Sequence, residues 1–386
     1  MTEQKKACVR NGIDRIEEYG YLFEGKRLGL ITGPTGLNRK MESTIDILKD
    51  RYDLKALYSP EHGVRGNLQA GTHVDTYVDE KTGITVFSLY GEHRKPTPEM
   101  LKDIDVLVMD IQDIGSRYYT YLYTMAYAME ACAENNKIFV LLDRINPIGG
   151  IEVEGNILDT EYSSFVGMYP ITNRYGLTMG ELAMLFNKEF GIGCDLAVVE
   201  LEGWKRGMYH IDTDLLWVSP SPNIPTLETA VLYNGTCFFE GTNISEGRGT
   251  TKPFEMVGAP WIDPYKLSDK MNSMALPGVI FRPVYFEPTF SKYRGQQCKG
   301  VQIHVTDYRV VKPVEVGIRL LYEIMDQDID KFEWLPPNRE NGNFFIDLLA
   351  GCEDVRLRRY DADELLERWK EDSCRFKACK EKYHIY

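Results

Sequence analysis

The sequence predicts an α/β fold, in which a doubly wound, mostly parallel sheet is followed by a smaller α+β domain. Short apolar segments alternate with helical patterns through the first two-thirds of the chain, and this alternation is then lost. Strands that are apolar on both faces are typical of parallel sheets covered by helices on both sides. A length of 386 residues fits two domains of ordinary size. We therefore predict a Rossmann-like domain over residues 1–231, with its core from about residue 26, and an α+β domain over residues 232–386.

The first domain contains six predicted strands and four predicted helices. The strands lie, in chain order, within RLGLITG (27–33), LKALYSPEHG (54–63), GITVFSLYGEH (83–93), DVLVMDIQD (105–113), KIFVLLDRINP (137–147) and CDLAVVELEGW (194–204). The helices lie within residues 43–52, 97–104, 116–135 and 178–191. Three helix starts carry capping signals: Ser43, the pair Thr97–Pro98, and Thr178 with Glu181 as a capping box.

The second domain is predicted from about Leu232 onward. The segments PGVIFRPVYFEPTF (277–290) and CKGVQIHVTD (298–307) are typical of paired strands. Helices are expected around residues 314–326, 344–349 and 362–369. The glycine-rich stretch EGTNISEGRGTTKPF (240–254) has no strand pattern and predicts a long loop between the domains. Because long loops in compact domains are usually lids or binding loops, we expect Asn243, Glu246 and Arg248 to close over a site.

Composition excludes several classes of function. The net charge of −13, without any run of Lys or Arg, argues against binding to nucleic acid or to an anionic membrane surface. The eight cysteines are scattered and form no pattern suited to zinc, which indicates reduced thiols. Neither a secretory signal nor an apolar stretch of about 18 residues is present. We expect a cytoplasmic protein, or a periplasmic or secreted one if a signal peptide has been removed.

Charged side chains follow several predicted strands at the points where the strands end. In open parallel sheets ligands bind at the carboxyl ends of the strands. A sheet edge that only turned the chain would carry Gly, Pro, Asn and Ser, and this one also carries carboxylates, guanidiniums and imidazoles. The sequence therefore predicts a shared polar cleft formed by Glu61, His62, Arg65, Glu92, His93, Arg94, Lys95, Asp110, Gln112, Asp113, Arg117, Asp143, Arg144 and Asn146.

These residue types suit two classes of hydrolytic chemistry and disfavour nucleotide binding. Nucleotide binding is disfavoured, because the first strand exit, Gly33-Pro34-Thr35-Gly36, matches no phosphate-binding loop and Pro34 lacks a backbone N–H. Glycoside cleavage fits, since it needs one carboxyl group as general acid and a second carboxylate as base, nucleophile or charge stabiliser. A metal-dependent hydrolase of esters or phosphoesters, with Asp110, Asp113 and Asp143 as ligands, is the second enzyme hypothesis.

Seven segments resemble the exo-β-N-acetylmuramidase, or NamZ-like, family, which was formerly a family of unknown function. The resemblance extends in order from about Gly29 to Trp261 and more loosely to the C-terminus. It rests on the strings PEHGVRG, SLYGEHRKPT, DIQDIGSRYYTY, LLDRINPIGG, VEGNILD, SFVGMYPI and EGTNISEGRGTTKPFEMVGAPW. It implies a Rossmann-like catalytic domain with a smaller C-terminal domain, and release of terminal N-acetylmuramic acid from the non-reducing ends of peptidoglycan fragments. It implies no cofactor.

The resemblance also suggests roles for residues. The family's favoured catalytic glutamate corresponds to Glu92, and we interpret Glu61 as its partner on chemical grounds. The lactyl group of the sugar is anionic, so an arginine such as Arg248, Arg117 or Arg144 is expected beside it. The predicted substrate-binding residues are His62, Arg65, Asp110, Gln112, Arg117, Tyr119, Asp143, Arg144, Asn146, Asn243, Glu246 and Arg248.

Other interpretations of the same residues remain open at the level of sequence. Asp110 and Asp143 end strands, where carboxylates often only accept backbone hydrogen bonds from the next turn. Asp113 is equally consistent with a helix cap, and Arg117 with its ion-pair partner. Tyr119 belongs to an i, i+4 series that is typical of a helix core. A muropeptide-binding protein without catalytic activity is the third functional hypothesis, and the sequence leaves the oligomeric state open.

Overall fold

The structure is a computed structural model that describes residues 6–61, 63–66, 76–91, 93–337 and 342–386. Its larger sheet has seven strands in the order β3-β4-β2-β1-β5-β6-β7. All neighbouring strands are parallel except β3, which pairs antiparallel with β4. The strands are β1 Arg27–Thr32, β2 Asp53–Ser59, β3 Tyr77–Val78, β4 Thr85–Ser88, β5 Val106–Asp110, β6 Ile138–Leu142 and β7 Asp195–Val199. The predicted doubly wound, mostly parallel sheet is confirmed.

Alternating residues of the central strands pack on opposite faces of this sheet. On one face Leu28, Leu30 and Val108 pack in a core that includes Ile45 and Leu48 of α1. On the other face Ile31 of β1, Leu107 and Met109 of β5, and Phe139 and Leu141 of β6 pack in a second core. Because successive side chains of a strand point to opposite faces, covering both faces requires the continuous apolar runs seen in the sequence.

The helices of the first domain are α1 Thr44–Arg51, α2 Pro98–Leu101, α3 Tyr121–Glu134 and α4 Met179–Glu189. The three predicted caps are confirmed: Ser43 accepts from the N–H of Ile45, Thr97 from that of Met100, and Thr178 forms a capping box with Glu181. Short 3₁₀ helices occur at Gly12–Arg15, Gly20–Leu22, Thr160–Tyr162 and His210–Asp212. The prediction for α3 began too early, since residues 116–120 precede the helix and are not helical.

The second domain contains a three-stranded antiparallel sheet in the order β8-β10-β9. Its strands are β8 Met256–Ala259, β9 Val279–Phe286 and β10 Cys298–Val305. Its helices are α5 Leu227–Thr236, α6 Pro264–Ser273, α7 Pro313–Gln327, α8 Phe345–Ala350, α9 Asp354–Leu357 and α10 Ala362–Lys380, with 3₁₀ helices at Cys237–Gly241 and Glu381–Tyr383. The predicted boundary between residues 231 and 232 falls inside α5.

The two domains share one apolar core. Met125 and Leu182, on α3 and α4, belong to the same buried cluster as Phe281 of β9 and Leu320 of α7. Polar contacts also join distant parts of the chain: the Lys380 ammonium donates to the carbonyl oxygens of Gly150 (2.5 Å) and Gly176 (2.7 Å). Within the described ranges, none of the helices has the length and apolar character needed to cross a bilayer.

Candidate active site

The carboxyl edge of the seven-stranded sheet contains a point where the strand order changes direction. From β1 the chain continues to β2 on one side, whereas β5 pairs with β1 on the other side. The segments after these strands separate there, which leaves the crevice in which ligands of such sheets bind. Two pockets lie at this edge, and each is lined by some of the predicted site residues.

The first pocket, which we call the Glu61 pocket, lies between the two domains. It encloses about 440 Å³, including space open to solvent. The first domain contributes Glu61, two residues after β2, the residues 118–121 around the start of α3, and three residues of the segment that precedes α5. The second domain contributes Tyr233, Arg248 and Phe254. Among the described residues, the lining consists of Glu61, Tyr118, Tyr119, Thr120, Tyr121, Ser221, Asn223, Ile224, Tyr233, Arg248 and Phe254.

Tyrosine rings form much of the wall of the Glu61 pocket. The ring of Tyr119 packs edge-to-face against Tyr121, with centroids 4.9 Å apart, and against Tyr233 at 6.1 Å. The Tyr121 hydroxyl donates to the carbonyl oxygen of Pro220 (2.9 Å), which fixes that ring. The Tyr119 hydroxyl is buried and has no hydrogen-bond partner among the described residues. Tyr119 thus lines the predicted cleft and does not belong to the helical stripe that its spacing suggested.

Tyr90, at the exit of β4, lies close to Glu61. Burial raises the pKa of the Tyr90 phenol, and the neighbouring Glu61 carboxylate raises it further. The exits of β2 and β4 therefore come together at this pocket, as expected for neighbouring parallel strands. Glu92 follows Tyr90 by two residues in the sequence, and both Glu92 and His62 lie outside the described residues.

Arg248 is the only one of the three predicted lactyl-binding arginines that lines the Glu61 pocket. Its Nε donates to Glu240 (2.9 Å) and lies 3.3 Å from Glu246 Oε1. The guanidinium carbon lies 5.0 Å from the centre of the Phe254 ring. Its Nη2 also donates to Glu240, whereas Nη1 has no partner in the part of the chain that the structure describes.

The second pocket, which we call the Gln112 pocket, lies where the exits of β1 and β5 separate. It encloses about 660 Å³, including space open to solvent. Gln112 and Arg144, both predicted site residues, line it together with Asn11, Thr35, Leu37, Asn38, Arg39, Met41, His210, Asp214, Leu215, Leu216, Trp217 and Val218. The single cleft predicted from the sequence is therefore two pockets, neither of which is lined by residues from all the strand exits.

Three polar residues predicted to face the cleft are buried, and their hydrogen-bonding atoms bind other groups of the protein. Asp110 accepts from Nε (2.6 Å) and Nη2 (2.8 Å) of Arg144. Asp143 accepts from the hydroxyls of Thr178 (2.7 Å) and Tyr386 (2.8 Å) and from the N–H of Gly180. Asn146 donates to the carbonyl oxygen of Leu177 and accepts from the N–H of Ile148. These side chains hold the strand exits in place and line neither pocket. Asp143 accepts backbone N–H groups of Arg144 and Gly180, as a turn acceptor does, whereas Asp110 is the buried ion-pair partner of Arg144.

Arg117 is fully buried and does not reach the cleft. Its Nη1 donates to the carbonyl oxygens of Asn156 and Ile171, both at 2.8 Å. Its Nη2 donates to the carbonyl oxygens of Leu349 (3.1 Å) and Ala350 (2.8 Å), at the C-terminal end of α8. Arg117 therefore has neither of its predicted roles, sugar contact or ion pairing with Asp113. All these acceptors are backbone carbonyl groups in the interior of the two domains.

Arg65 is also engaged elsewhere, in a bidentate ion pair. Its Nε and Nη2 donate to the two carboxylate oxygens of Asp79, at 2.6 Å and 2.9 Å. The Asp79 carboxylate is nearly fully buried and also accepts from the N–H and the hydroxyl of Thr82. This pair fixes the segment after β2 to the residues after β3, so Arg65 positions the loop that carries Glu61.

The Arg65–Asp79 pair predicts a loss of stability in acid. Arg65 lowers the pKa of Asp79 to about 2, below its value in the unfolded chain. A lowered carboxylate pKa contributes stability above about pH 4 that is lost as the pH falls toward 2. We expect Asp79→Asn to lower the free energy of unfolding by about 1–2 kcal/mol at pH 7, since Arg65 is partly exposed, and by progressively less below pH 4. Urea denaturation from pH 2.5 to 7 measures this; a constant difference would assign the effect to Thr82 instead.

Two residues of the predicted lid segment form polar contacts within the second domain. The Asn243 side chain donates to the carbonyl oxygen of Lys331 (2.8 Å) and accepts from the N–H of Glu333 (3.1 Å). Glu246 is 2% exposed and accepts from the ammonium of Lys292 (2.8 Å). Of the three residues named for this segment, only Arg248 lines the Glu61 pocket. The lid prediction is therefore not supported for Asn243 and Glu246.

The carboxylates of the metal hypothesis do not form a shared ligand set. Asp110 pairs with Arg144, and Asp143 accepts from hydroxyl and amide groups. Burial raises the pKa of Asp113 to about 6, and its Oδ2 accepts from the Tyr175 hydroxyl and the N–H of Gly115. Over the described ranges there is no group of three His, Cys, Asp or Glu side chains arranged to hold a metal ion.

Sequence reasoning missed several residues of the Glu61 pocket. Ser221 and Asn223 lie in the segment SPSPNIP (219–225), which follows the last predicted strand of the first domain and carries no strand or helix pattern. Tyr233 and Phe254 come from α5 and from the loop before β8, and they pack edge-to-face with centroids 4.7 Å apart. Only the position of these segments next to the domain boundary gave a signal, because pockets form preferentially between domains.

Comparisons with known proteins agree with this architecture. A family model for the N-terminal domain of the exo-β-N-acetylmuramidase NamZ matches residues 28–228, and the model for its C-terminal domain matches residues 231–386. The chain belongs to the NamZ exo-β-N-acetylmuramidase family. The peptidoglycan β-N-acetylmuramidase NamZ of Bacillus subtilis (strain 168) is 50% identical to it over an alignment of 388 positions, which covers 99% of this chain and 92% of that relative.

Two solved structures from Bacteroides fragilis NCTC 9343, both described as DUF1343 family proteins, share the NamZ fold of this chain. One is 41% identical and superimposes with a TM-score of 0.89, covering 98% of this chain and 99% of the other. The second is 31% identical with a TM-score of 0.78 and the same coverage. The resemblance to the NamZ family predicted from seven sequence segments is thus confirmed over both domains.

Proposed function

We propose that this protein is an exo-β-N-acetylmuramidase that releases terminal N-acetylmuramic acid from the non-reducing ends of peptidoglycan fragments. The observation that carries the proposal is the Glu61 pocket, where a carboxylate and an arginine line one tyrosine-walled cavity in a chain of the NamZ family. Aromatic rings suit the apolar face of a pyranose. The substrate is a saccharide derived from peptidoglycan.

Cleavage of the glycosidic bond requires two carboxyl groups with different roles. One donates a proton to the leaving oxygen, while the other stabilises the oxocarbenium-like transition state, attacks the anomeric carbon or activates water. We assign these roles to Glu92 and Glu61. Glu61 lines the pocket, and Glu92 follows Tyr90, which lies beside Glu61, by two residues in the chain. A route in which the substrate's own N-acetyl group is the nucleophile would need only the acid and a supporting carboxylate.

Arg248 is our candidate for binding the lactyl carboxylate that distinguishes N-acetylmuramic acid from N-acetylglucosamine. It lines the same pocket as Glu61, and its Nη1 has no partner among the described residues. Arg117 donates to interior carbonyl groups, and Arg144 lines the other pocket. A guanidinium beside Glu240 and Glu246 is held in place by these carboxylates and presents its remaining N–H groups to an anionic ligand.

The proposal is tested by the release of para-nitrophenol from two substrates. We expect the protein to hydrolyse para-nitrophenyl β-N-acetylmuramide and to leave the corresponding β-N-acetylglucosaminide essentially intact, because only the muramide has a carboxylate to bind Arg248. Addition of EDTA is expected to leave the rate unchanged. No hydrolysis of either substrate by folded protein, with or without Mg²⁺ or Zn²⁺, would contradict the proposal and favour a muropeptide-binding protein. A rate abolished by EDTA would favour a metal-dependent hydrolase.

A further inference from the structure

The Gln112 pocket has no part in the proposed reaction, yet it lies at the position where ligands of such sheets bind. Thr32, at the end of β1, pairs with Asp110, at the end of β5. Thr35 follows β1 and Gln112 follows β5, and both line the pocket. This is the crevice produced by the change of strand order, whereas the Glu61 pocket lies farther along the edge, against the second domain.

Two side chains of this pocket are fixed by the protein and still offer a hydrogen-bonding atom. Gln112 Nε2 donates to the carbonyl oxygens of Asp113 (2.7 Å) and Ile145 (2.9 Å), and its Oε1 accepts from none of the described residues. Arg144 donates through Nε and Nη2 to Asp110, and through Nη2 to the Leu37 carbonyl oxygen (2.9 Å), which leaves Nη1 available. The pocket therefore has one oriented acceptor and one oriented donor.

One further polar group on the wall is buried without a partner. The indole Nε1 of Trp217 has no hydrogen bond within the described ranges, and the Trp217 ring packs edge-to-face on His210 at 5.1 Å. Because a buried polar group without a partner is costly, this donor favours a ligand that can accept a hydrogen bond.

The charges that line the pocket are already compensated. Arg144 pairs with the buried Asp110, and Arg39 forms a two-point ion pair with Asp214, whose shorter contact is 2.5 Å. Burial lowers the pKa of His210, so its imidazole is neutral near pH 7. Pro34 also removes a backbone N–H from the first strand exit. An uncharged ligand can therefore bind the free hydrogen-bonding atoms of this pocket without requiring any further charge on its wall.

We propose that the Gln112 pocket is a second saccharide-binding site that takes one uncharged pyranose unit. Each hydroxyl of a sugar both donates and accepts, which matches the mixed set of Gln112 Oε1, Arg144 Nη1 and Trp217 Nε1. Trp217 also provides apolar surface for a sugar ring. The class of ligand, an uncharged pyranose, follows from the side chains of the pocket. The choice of N-acetylglucosamine, the uncharged sugar of peptidoglycan, rests on the proposed function.

Calorimetric titration with methyl β-N-acetylglucosaminide tests this site. We expect saturable binding to the wild type, weakened about tenfold or more by Gln112→Ala and by Trp217→Phe, each of which removes one hydrogen-bonding group. Glu61→Gln is expected to leave the affinity unchanged, because Glu61 lines the other pocket. Leu216→Trp is the variant to use if either interior change fails to fold, since Leu216 is 69% exposed at the rim and a larger side chain there obstructs entry.

The outcomes separate this inference from the proposed function. Absence of binding, binding that survives Gln112→Ala, Trp217→Phe and Leu216→Trp, or binding that is lost only in Glu61→Gln, would overturn the second site. Stronger binding of inorganic phosphate than of the sugar would overturn the uncharged class. Failure to hydrolyse the muramide would contradict the proposed function, and the titration, which requires no turnover, would still report on the Gln112 pocket.

Discussion

Glu92→Gln is expected to abolish measurable release of N-acetylmuramic acid, and Glu61→Gln is expected to lower kcat by about 10²–10⁴-fold. An amide has nearly the shape of a carboxyl group but neither donates a proton as an acid nor carries the negative charge that stabilises an oxocarbenium ion. The measurement is kcat and KM for para-nitrophenyl β-N-acetylmuramide. Because both changes affect the transition state more than the bound substrate, KM is expected to change much less than kcat.

A matched control separates the loss of a catalytic carboxylate from a general loss of charge. Glu99→Gln changes an exposed glutamate of α2, and it is expected to leave kcat within about twofold of the wild type. If Glu61→Gln raised KM and left kcat intact, Glu61 would be a binding residue and its partner would have to be sought elsewhere. Addition of azide, a small external nucleophile, distinguishes the two carboxylates of a retaining enzyme through the product. Loss of the nucleophile gives a glycosyl azide with inverted anomeric configuration, whereas loss of the acid/base residue gives one with retained configuration.

Arg117→Met is expected to destabilise the protein by about 3–5 kcal/mol, without any direct effect on chemistry. The change leaves the buried carbonyl groups of Asn156, Leu349 and Ala350 without a donor, whereas that of Ile171 still accepts from the N–H of Leu158 (3.3 Å). It also removes the cation from the C-terminal end of α8, where the helix dipole favours positive charge. The free energy of unfolding from urea denaturation measures the loss. Arg117→Lys keeps the charge and loses the fork of donors, so we expect an intermediate value.

Arg375→Met is the control for the Arg117 prediction. Arg375 is mostly exposed and pairs with Asp372 one helical turn away, so its replacement is expected to cost less than about 1 kcal/mol. Full retention of stability in Arg117→Met, together with reduced affinity for the muramide, would mean that the guanidinium contacts the substrate after all. The two readouts therefore discriminate between an interior arginine and a binding one.

Much of the first domain could be predicted from the sequence because its signals are local. The apolar runs of β1, β5 and β6 and the caps at Ser43, Thr97 and Thr178 depend on residues a few positions apart. The strands β3 and β8 were missed, since β3 has two residues and β8 follows the glycine-rich segment that was taken as a loop. Elements this short depend on tertiary pairing rather than on their own pattern.

The division of polar residues into interior and cleft positions could not be predicted in the same way. Asp110, Gln112 and Arg144 all follow strands, and nothing in their neighbouring residues separates them. Asp110 becomes interior because Arg144, 34 residues later, folds onto it, while Gln112 keeps one free oxygen. Arg117 becomes interior because Leu349 is 232 residues away in sequence and beside it in space. These outcomes depend on distant parts of the chain.

The contacts of Arg117, Lys380 and Tyr386 also have a consequence for how the protein folds. Each joins the first domain to a residue more than 200 positions away: Arg117 to Leu349, Lys380 to Gly150 and Tyr386 to Asp143. Closing such large loops has an entropic cost that is recovered only when the distant contact forms. During synthesis, the carboxyl edge of the large sheet therefore reaches its final packing only after residues 380–386 have left the ribosome. Since the two domains of this chain also share a buried core, we expect them to unfold as a single cooperative unit.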